Sequence, residues 1–512
     1  MIMNMEECFC KAKEVFVEML QQVEQDTIDG KAIHEVEDNV WKNSLELGRQ
    51  ILAAHVEMQA VNTPAPDSVQ HSGKTLKRLD GKRKRSYHSV FGEVIVNRDV
   101  YARREIQRHE VVPLDAKLGL PEGDISYLLQ RWCNARSVNG SYAQVRKSIT
   151  EIFGFAPLVS ALEDMACRAG RHADKYFRNQ QPIDPSTEDE IIVVTSDCKG
   201  VPMRKADAPR GAKNYKPDTA NPVDSVNTDT RKRLKKGEKR GQKRMACVGG
   251  AYSVGRFERV ADDLLDEIVR KENEKNRPTI ENKRLRAVLT KEVDGKTINS
   301  KDVVFDWLAE EVRQRDPNSE KTIVAIMDGE TKLRDLQKSK ISRAIGILDI
   351  WHVTEYLWKL AHCFHVESSK EAEQFVETYL RKILQGELNR AIGGIRQMAT
   401  KRKFPEKKKA SVKQLLSYFV RRAGEMRYNE YLAAGYPIGS GVVEGACKHL
   451  VKDRMELTGM RWRIAGAQTI LSLRAIYLND DWETFNRSRI EAEQARLHPY
   501  KTSQPDLLVN AI

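Results

Sequence analysis

Apolar residues recur at intervals of three and four along the first 62 residues of the chain. This spacing places them on one side of an α-helix. Residues 1–62 contain no proline and only two glycines, Gly30 and Gly48, so we predict a pair of helices. A dimerisation element and a plain packing element are both open as roles. The residues that carry the pattern are Phe9, Ala12, Phe16, Met19, Leu20, Val23, Trp41, Leu45, Ile51, Leu52 and Val56.

The helical pattern ends at the sequence TPAPD (residues 63–67), which is typical of a break. Residues 86–98 are rich in strand-forming side chains on either side of Gly92, and this arrangement predicts a β-hairpin. We therefore expect a small β-rich module over residues 63–118. The basic run KRKR (residues 82–85) precedes the hairpin, and either phosphate contacts or a solvated loop would explain it.

Residues 119–185 return to a helical pattern. Apolar positions predict one helix near residues 125–132, a second over 142–152 and a third over 158–166, with the turn GFAP (residues 154–157) before the last. Three short helices with such a turn resemble a helix-turn-helix DNA-binding module, whose last helix enters the major groove. A three-helix bundle without DNA is the alternative.

Further along the chain, continuous apolar runs predict buried central strands rather than half-exposed ones. The runs are IIVVTS (residues 191–196), MACVGGAYSV (245–254), TIVAIM (322–327) and RAIGILDIWHV (343–353). A helix over residues 354–361 follows the last run. This alternation predicts an α/β core with a mixed sheet flanked by helices, whose first part covers residues 186–365.

The amphipathic stretch over residues 366–438 predicts further helices. Asp328 and Glu444, two acids discussed below, are 116 residues apart, far more than one strand and one helix require. We therefore interpret residues 366–438 as a helical insertion and residues 439–480 as the second part of the core. Residues 481–512 would form a C-terminal tail.

The chain has 86 Lys and Arg residues against 73 Asp and Glu, a net charge of +13, which favours a polyanionic partner. Much of this excess lies in residues 204–244, with fourteen Lys or Arg and five Asp or Glu. We interpret this segment as a DNA-contacting loop, with a solvated charge run as the alternative. No apolar stretch is long enough for a membrane span, and residues 1–7 lack the pattern of an export signal. The scattered cysteines favour reduced thiols, and we expect a cytoplasmic, nucleoid-associated protein.

Three acids stand out by their context. Asp197 and Asp328 each end an apolar run, and Glu444 lies near the start of a helix-like stretch. A carboxylate at the end of a buried strand is costly unless a metal, a hydrogen bond or an ion pair satisfies it. Two strand-end aspartates and a helical glutamate are the ligand set of an RNase H-like nuclease core, where two Mg²⁺ ions about 3.5–4 Å apart clamp a phosphodiester. A turn role for Asp328 and a first-turn helical role for Glu444, after Ser440 as N-cap, are the structural alternatives.

The sequence around these acids resembles DDE transposases of bacterial insertion sequences, the ISKra family in particular, over residues 190–480. The blocks that carry the resemblance are TSDCKGVPM (195–203), MDGE (327–330), LDIWHVTEYLW (348–358), GSGVVEG (439–445) and TGMRW (458–462). The resemblance implies Asp197, Asp328 and Glu444 as catalytic metal ligands, with two Mg²⁺ ions that Mn²⁺ can replace. Relatives commonly have glycine where this chain has Cys198, and because a small residue is kept we expect activity to be retained.

Asp349 also ends an apolar run, and it is a candidate either for a fourth metal-site carboxylate or for a partner that orients His352. The DIWH sequence (residues 349–352) fits a signature of Mutator-like relatives, in which the histidine lies near the active site. We also expect contacts between DNA and a set of basic and aromatic side chains, for which ion pairing (Lys448) and packing (Trp462) are the alternatives. This set is Arg231, Lys232, Arg233, Lys235, Lys236, Lys239, Arg240, Lys448, Arg461, Trp462 and Arg463.

The sequence therefore predicts an RNase H-like transposase that cleaves the terminal inverted repeats of its own element and joins them to target DNA. Its partners would be double-stranded DNA and further copies of the chain, as a homodimer or higher oligomer, with no membrane. Two alternatives are open: a DNA-binding protein derived from a transposase but without catalysis, and a metal-dependent, structure-selective nuclease of the same fold.

Overall fold

The computed structural model describes residues 8–71, 73–103, 109–207, 243–267, 277–402, 404–457 and 459–499. The chain divides into two units, Met1–Tyr176 with Asp481–Ile512, and Phe177–Asp480. The N-terminal and C-terminal segments of the chain thus belong to one unit, and the predicted core and insertion belong to the other.

The first unit begins with the predicted helical pair, α1 (Cys10–Ile28) and α2 (Ile33–Val61). Gly30 adopts a positive φ of 66° in the turn between them. The carboxylate of Asp26 is buried there and accepts hydrogen bonds from three side chains, so a single acid fastens the turn to both helices. The prediction of two helices before the break at residue 63 is confirmed.

The β-rich module consists of a four-stranded sheet and a separate hairpin. The sheet has the order β1-β2-β5-β6, and the hairpin pairs β3 with β4 in antiparallel register around residues 90 and 91. The hairpin predicted over residues 86–98 is therefore confirmed. The strands are β1 (Ser68–His71), β2 (Lys74–Arg78), β3 (Arg83–Ser89), β4 (Gly92–Arg98), β5 (Tyr101–Ala102) and β6 (His109–Val111).

Five helices follow, and they include the three that the sequence predicts. Leu129, Ile149, Leu162 and Met165, from three successive helices, share one buried core. Gly154 has a φ of 74° and ends the second of these helices before the third begins. The helices are α3 (Pro113–Leu118), α4 (Tyr127–Ser137), α5 (Tyr142–Phe153), α6 (Val159–Gly170) and α7 (Ala173–Asn179), the last of which crosses the boundary between the units.

The second unit is built on a five-stranded mixed sheet with the order β13-β12-β7-β8-β9. Strand β7 is central: it pairs in parallel with β12 and antiparallel with β8, while β12 and β13 are parallel and β8 and β9 antiparallel. The strands are β7 (Ile191–Pro202), β8 (Lys243–Val254), β9 (Ile280–Leu289), β12 (Thr322–Met327) and β13 (Ile345–Leu348), and a small hairpin of β10 (Lys291–Val293) and β11 (Lys296–Ile298) follows β9.

Both faces of this sheet are covered, as the continuous apolar runs predict. Ile191 and Val193 of β7 pack in one core with the helices after β13, and Ile192 and Val194 pack in a second core with the two helices on either side of β12. The alternation follows from the two-residue period of a strand. The helices of this unit are α8 (Ala261–Leu265), α9 (Ser300–Arg315), α10 (Thr331–Lys340), α11 (Ile350–Phe364), α12 (Lys370–Leu384), α13 (Leu388–Lys401), α14 (Glu406–Arg422), α15 (Tyr428–Ala433), α16 (Gly441–Ala446), α17 (Asp453–Met455) and α18 (Ile464–Leu478).

Three details of the prediction are wrong or incomplete. Strand β7 does not end at Asp197 but continues to Pro202, because β8 pairs with it over its full length. The strand predicted over residues 343–353 covers only Ile345–Leu348, because the carboxylate of Asp349 caps a helix that starts at Ile350. The predicted tail contains a helix, α19 (Trp482–Leu497), which belongs to the first unit.

The second unit thus has a mixed α/β architecture with helices on both sides of the sheet, and the segment over residues 366–438 is helical as predicted. None of the helices that the structure describes combines the length and apolar character required to cross a membrane.

Candidate active site

Three neighbouring strands bring three aspartates to one region of the sheet. Ser196, which precedes Asp197, pairs with Met327, which precedes Asp328, across parallel strands. Met327 also pairs with Leu348, which precedes Asp349. The positions two residues before Asp328 and Asp349, Ile326 and Ile347, pack in the same core. The three acids therefore each follow a paired residue, on three neighbouring strands at the same edge of the sheet.

Asp197 lies within β7 and is half-buried. Its Oδ1 accepts a hydrogen bond from the backbone N–H of Cys198 at 2.6 Å. Its Oδ2 accepts a weaker one from the thiol of Cys447 at 3.3 Å. Burial, followed by the negative charge of Asp197, raises the pKa of the Cys447 thiol, which therefore stays protonated and remains a donor. Cys447 connects the central strand to the chain segment that carries Glu444.

Asp328 occupies a tight turn directly after β12. Its Oδ1 accepts a hydrogen bond from the backbone N–H of Glu330 at 2.8 Å, and Gly329 between them has a φ of 82°. A side chain at Gly329 would meet the hydroxyl of Tyr418 at 2.6 Å. That hydroxyl donates to the carbonyl of Asp328 at 2.7 Å, and Arg422 donates to the carbonyl of Gly329. Two side chains of helix α14 therefore hold the turn from outside.

Asp349 is fully buried, and its carboxylate is satisfied by protein donors. Oδ1 accepts from the backbone N–H groups of Trp351 at 3.1 Å and Ser440 at 3.2 Å, and Oδ2 accepts from the hydroxyl of Ser440. Burial raises the pKa of the Asp349 carboxyl, and these donors act in the opposite direction. Because Ser440 directly precedes α16, Asp349 fixes the start of the helix on which Glu444 lies.

Glu444 is exposed on α16, which lies against β7 and β8. Burial and the charge of Asp349 raise the pKa of its carboxyl, the charge of Asp197 raises it further, and His352 lowers it. In the part of the chain that the structure describes, the carboxylate of Glu444 has no hydrogen bond or ion pair. A carboxylate crowded by others and without a protein partner is available to a cation.

The tightest group of possible ligands differs from the predicted one. Among the described residues, one carboxylate oxygen each from Asp349 and Glu444 and a ring nitrogen of His352 lie within 4.8 Å of one another. Asp197, Asp328 and Glu444 do not form such a group within the described ranges. The group that the structure brings together therefore contains Glu444 of the predicted triad, with Asp349 and His352 as its other members.

The donor set fits a divalent metal ion. Within the described residues, no lysine or arginine forms an ion pair with the carboxylates of Asp197, Asp328, Asp349 and Glu444. The protein therefore does not neutralise their negative charge. Carboxylate oxygens are the ligands that Mg²⁺ prefers, and a histidine nitrogen suits Mn²⁺ and later transition metals better. Both oxygens of Asp349 already accept hydrogen bonds from Trp351 and Ser440, which favours a supporting role for Asp349 within the group of Asp349, His352 and Glu444.

Four of the predicted DNA-contacting residues, Lys448, Arg461, Trp462 and Arg463, lie within the described residues. Lys448, Arg461 and Arg463 are exposed in the second unit. Lys448 lies in a π-helical turn, Cys447–Lys452, and makes no ion pair with Glu444 among the described residues, so the expected alternative of pairing is not seen. The residues Arg231, Lys232, Arg233, Lys235, Lys236, Lys239 and Arg240 lie outside the described residues, as does most of the basic segment 204–244.

Trp462 is a packing residue. Its side chain is buried, its indole N–H donates to the carbonyl of Met455 at 3.0 Å, and the guanidinium of Arg454 lies 4.9 Å from its ring centre. A base could stack on it only if these contacts opened. The prediction that Trp462 stacks on DNA does not fit this position, and the packing alternative does.

Several residues of the site are not identified by the sequence argument. Tyr418 lies 90 positions from Asp328, and Ser440 lies 91 positions from Asp349. No local pattern marks such distant contacts. Cys198 and Cys247 occupy directly opposed positions on β7 and β8, and only the strand register reveals this.

Neither the family models nor the curated proteins compared with this chain match it.

Proposed function

We propose that this chain is a metal-dependent DNA transposase of the DDE type, with an RNase H-like catalytic core in its second unit. The observation that carries the proposal is the register that pairs the residues before Asp197 and Asp328 across parallel strands, with the helix of Glu444 against β7 and β8. The mixed sheet flanked by helices and the acid-centred sequence blocks also support it.

Each acid would have a distinct task. Bound Mg²⁺ ions would activate a water or a DNA 3′-hydroxyl and stabilise the leaving oxygen. Asp197 lies on the central strand, next to the strand that leads to Asp328 and against the helix of Glu444, so its carboxylate would hold metal together with theirs. Asp328 is presented by a turn that Tyr418 and Arg422 hold. Glu444 lies on a helix whose start is fixed through Ser440 and Asp349.

The partners follow from the same proposal. A transposase binds the double-stranded ends of its element and target DNA, and it does so as a dimer or larger assembly that holds two ends together. The net charge of +13 supports a polyanionic partner. The three-helix module of α4, α5 and α6 is the candidate for recognising the element ends. We place the protein in the cytoplasm, with the nucleoid.

Strand joining is the reaction that tests this function. The substrate is duplex DNA carrying the inverted repeats that flank the gene, incubated with full-length protein and Mg²⁺, with a supercoiled plasmid as target. We expect cleavage at the element end and a covalent product between that end and the plasmid, and neither after chelation of the metal. Cleavage without joining would instead favour a nuclease, and binding without cleavage would favour a non-catalytic DNA-binding protein.

A further inference from the structure

Helix α1 carries apolar side chains on a side that does not pack against its neighbour. Phe16, Val17 and Leu20 are 48 %, 50 % and 50 % exposed. The side of α1 that packs on α2 is a different one, because Asp26 lies there, is buried, and accepts a hydrogen bond from Asn39 of α2. A contiguous group of exposed apolar side chains on one helix is typical of a docking surface.

Two charged residues continue this apolar group along the same side of the helix. Lys13 precedes Val17 by four positions, and Glu24 follows Leu20 by four. Because residues three or four positions apart lie on one side of an α-helix, the five residues form a single stripe about 16 Å long. We call Lys13, Phe16, Val17, Leu20 and Glu24 the α1 stripe. Both charged side chains are exposed, and neither forms an ion pair within the described residues.

The α1 stripe is complementary to itself when two copies run in opposite directions. In that arrangement Val17 of one copy faces Leu20 of the second copy. Lys13 then faces Glu24 of the second copy at one end, and the two-fold axis repeats both contacts at the other end. A parallel arrangement would instead place lysine opposite lysine and glutamate opposite glutamate. Charges that flank an apolar seam set the orientation of paired helices in this way.

We propose that two copies of this chain associate through the α1 stripe, with their α1 helices antiparallel about a two-fold axis. The inference goes beyond the proposed function, which calls for more than one copy but names no surface for their contact. Because a contact between two helices of this length is smaller than the interfaces of permanent complexes, the association is a reversible one. The dimer fraction therefore rises with protein concentration.

Sedimentation velocity of the full-length protein, without DNA and without divalent metal, tests the proposal over a series of concentrations. We expect wild type to shift from monomer to dimer as the concentration rises. Lys13→Glu and Glu24→Lys each place like charges at both ends of the contact, so each should weaken self-association by roughly tenfold. Leu20→Gln should weaken it through loss of the apolar centre. Glu18→Lys, which makes the same charge change on another side of α1, should leave self-association unchanged.

An equimolar mixture of the two charge variants provides the decisive measurement. Each variant alone repels itself, but Lys13→Glu paired with Glu24→Lys has opposite charges at both ends, so the mixture should recover the dimer fraction of wild type. Recovery also shows that both variants fold. A wild type that stays monomeric, single variants that dimerise as wild type does, or a mixture without recovery would each overturn the proposal. Because neither DNA nor metal is present, such a failure is distinguishable from a failure of strand joining.

Discussion

The acidic side chains of the candidate site differ in how many hydrogen bonds the protein donates to them. Asp349 is buried and satisfied by three protein donors, whereas Glu444 is exposed and has none among the described residues. The apolar runs point to Asp328 and Asp349, since an acid after a buried strand is conspicuous in the sequence. Their separate roles are not predictable in this way, because the donors to Asp349 include Ser440, which only the folded chain brings close.

Asp26 provides a test of a single buried charge. It accepts hydrogen bonds from Lys31 at 2.7 Å, Asn39 at 2.8 Å and Gln22 at 2.7 Å. These donors, Lys31 foremost, lower the pKa of Asp26 to about 2. A lowered carboxyl pKa contributes stability above the unfolded-state pKa of about 4, and this contribution is lost as the pH falls towards the folded value.

Asp26→Asn should therefore lower the melting temperature at neutral pH, and its difference from wild type should shrink between about pH 4 and pH 2. Thermal unfolding followed by circular dichroism across this pH range measures the effect. Asp38→Asn is the control, because Asp38 makes an exposed pair with Lys42 and should change stability little. A difference from wild type that does not depend on pH would contradict the role given to Asp26.

Among the helices and strands, the segment between Asp328 and Glu444 matters most for the site. Helix α14 supplies Tyr418 and Arg422 to the turn of Asp328, and Tyr428 at the start of α15 donates to the carbonyl of Leu348 at 2.7 Å, directly before Asp349. The predicted insertion thus supports the ends of β12 and β13. The amphipathic pattern predicts the helices of this segment. It does not predict the contacts of Tyr418, Arg422 and Tyr428, because these depend on tertiary packing.

Tyr418→Phe tests this support. The change keeps the ring, which stacks on Tyr356 at 4.0 Å, and removes only the hydroxyl that donates to the carbonyl of Asp328. We expect a stability loss of about 1 kcal/mol and a roughly tenfold weaker affinity for Mn²⁺, as for other residues that orient metal ligands. Urea unfolding and calorimetric Mn²⁺ titration measure the two effects. Tyr356→Phe is the control, and equal Mn²⁺ affinity in both variants would show that α14 does not position Asp328.

The strand predictions show where sequence patterns fail. The run after Asp349, Ile350-Trp351-His352-Val353, contains the β-branched Ile350 and Val353 and an aromatic residue, and it favours a continuation of the strand. In the folded chain Asp349 caps a helix at this point, and the helix buries Ile350 and Val353 in the core. Capping and tertiary packing override the local strand propensity. The predicted end of β7 at Asp197 is wrong for a related reason. Pairing with β8 extends the strand beyond its apolar run.

The molecule as a whole combines a concentrated positive charge with a concentrated group of acids. The sequence predicts the sheet, its covering helices and the helical modules of the first unit, because each has a strong hydrophobic period. The order of the strands is not predictable from these periods, and it is this order that makes neighbours of the strands that lead to Asp197, Asp328 and Asp349. The acids are not neutralised by ion pairs in the described residues, so a divalent cation should stabilise the unit that contains them.

We expect Mn²⁺ to raise the melting temperature of the wild-type protein. An ion that binds only the folded state adds RT ln(1 + [metal]/Kd), about 2.7 kcal/mol at a hundredfold excess over Kd. Asp197→Asn should lose most of this shift, because Asp197 lies on the central strand, next to β12 and against the helix of Glu444. Thermal melts with Mn²⁺ and with chelator provide the measurement. Equal shifts in wild type and variant would place the metal elsewhere.

The central claim is that Asp197, Asp328 and Glu444 together form the metal-dependent cleavage site. The most direct test compares Asp197→Asn, Asp328→Asn and Glu444→Gln with wild type in cleavage and binding of the same element-end DNA. Each change keeps the side-chain shape and removes the charge that holds the metal. Asp335→Asn, an exposed acid on α10, is the matched control. We predict that each of the three variants loses cleavage but binds DNA nearly as well as wild type, and that the control keeps both. Retained cleavage in any of the three would contradict the assignment of that ligand, and Asp349 would be the first replacement to test.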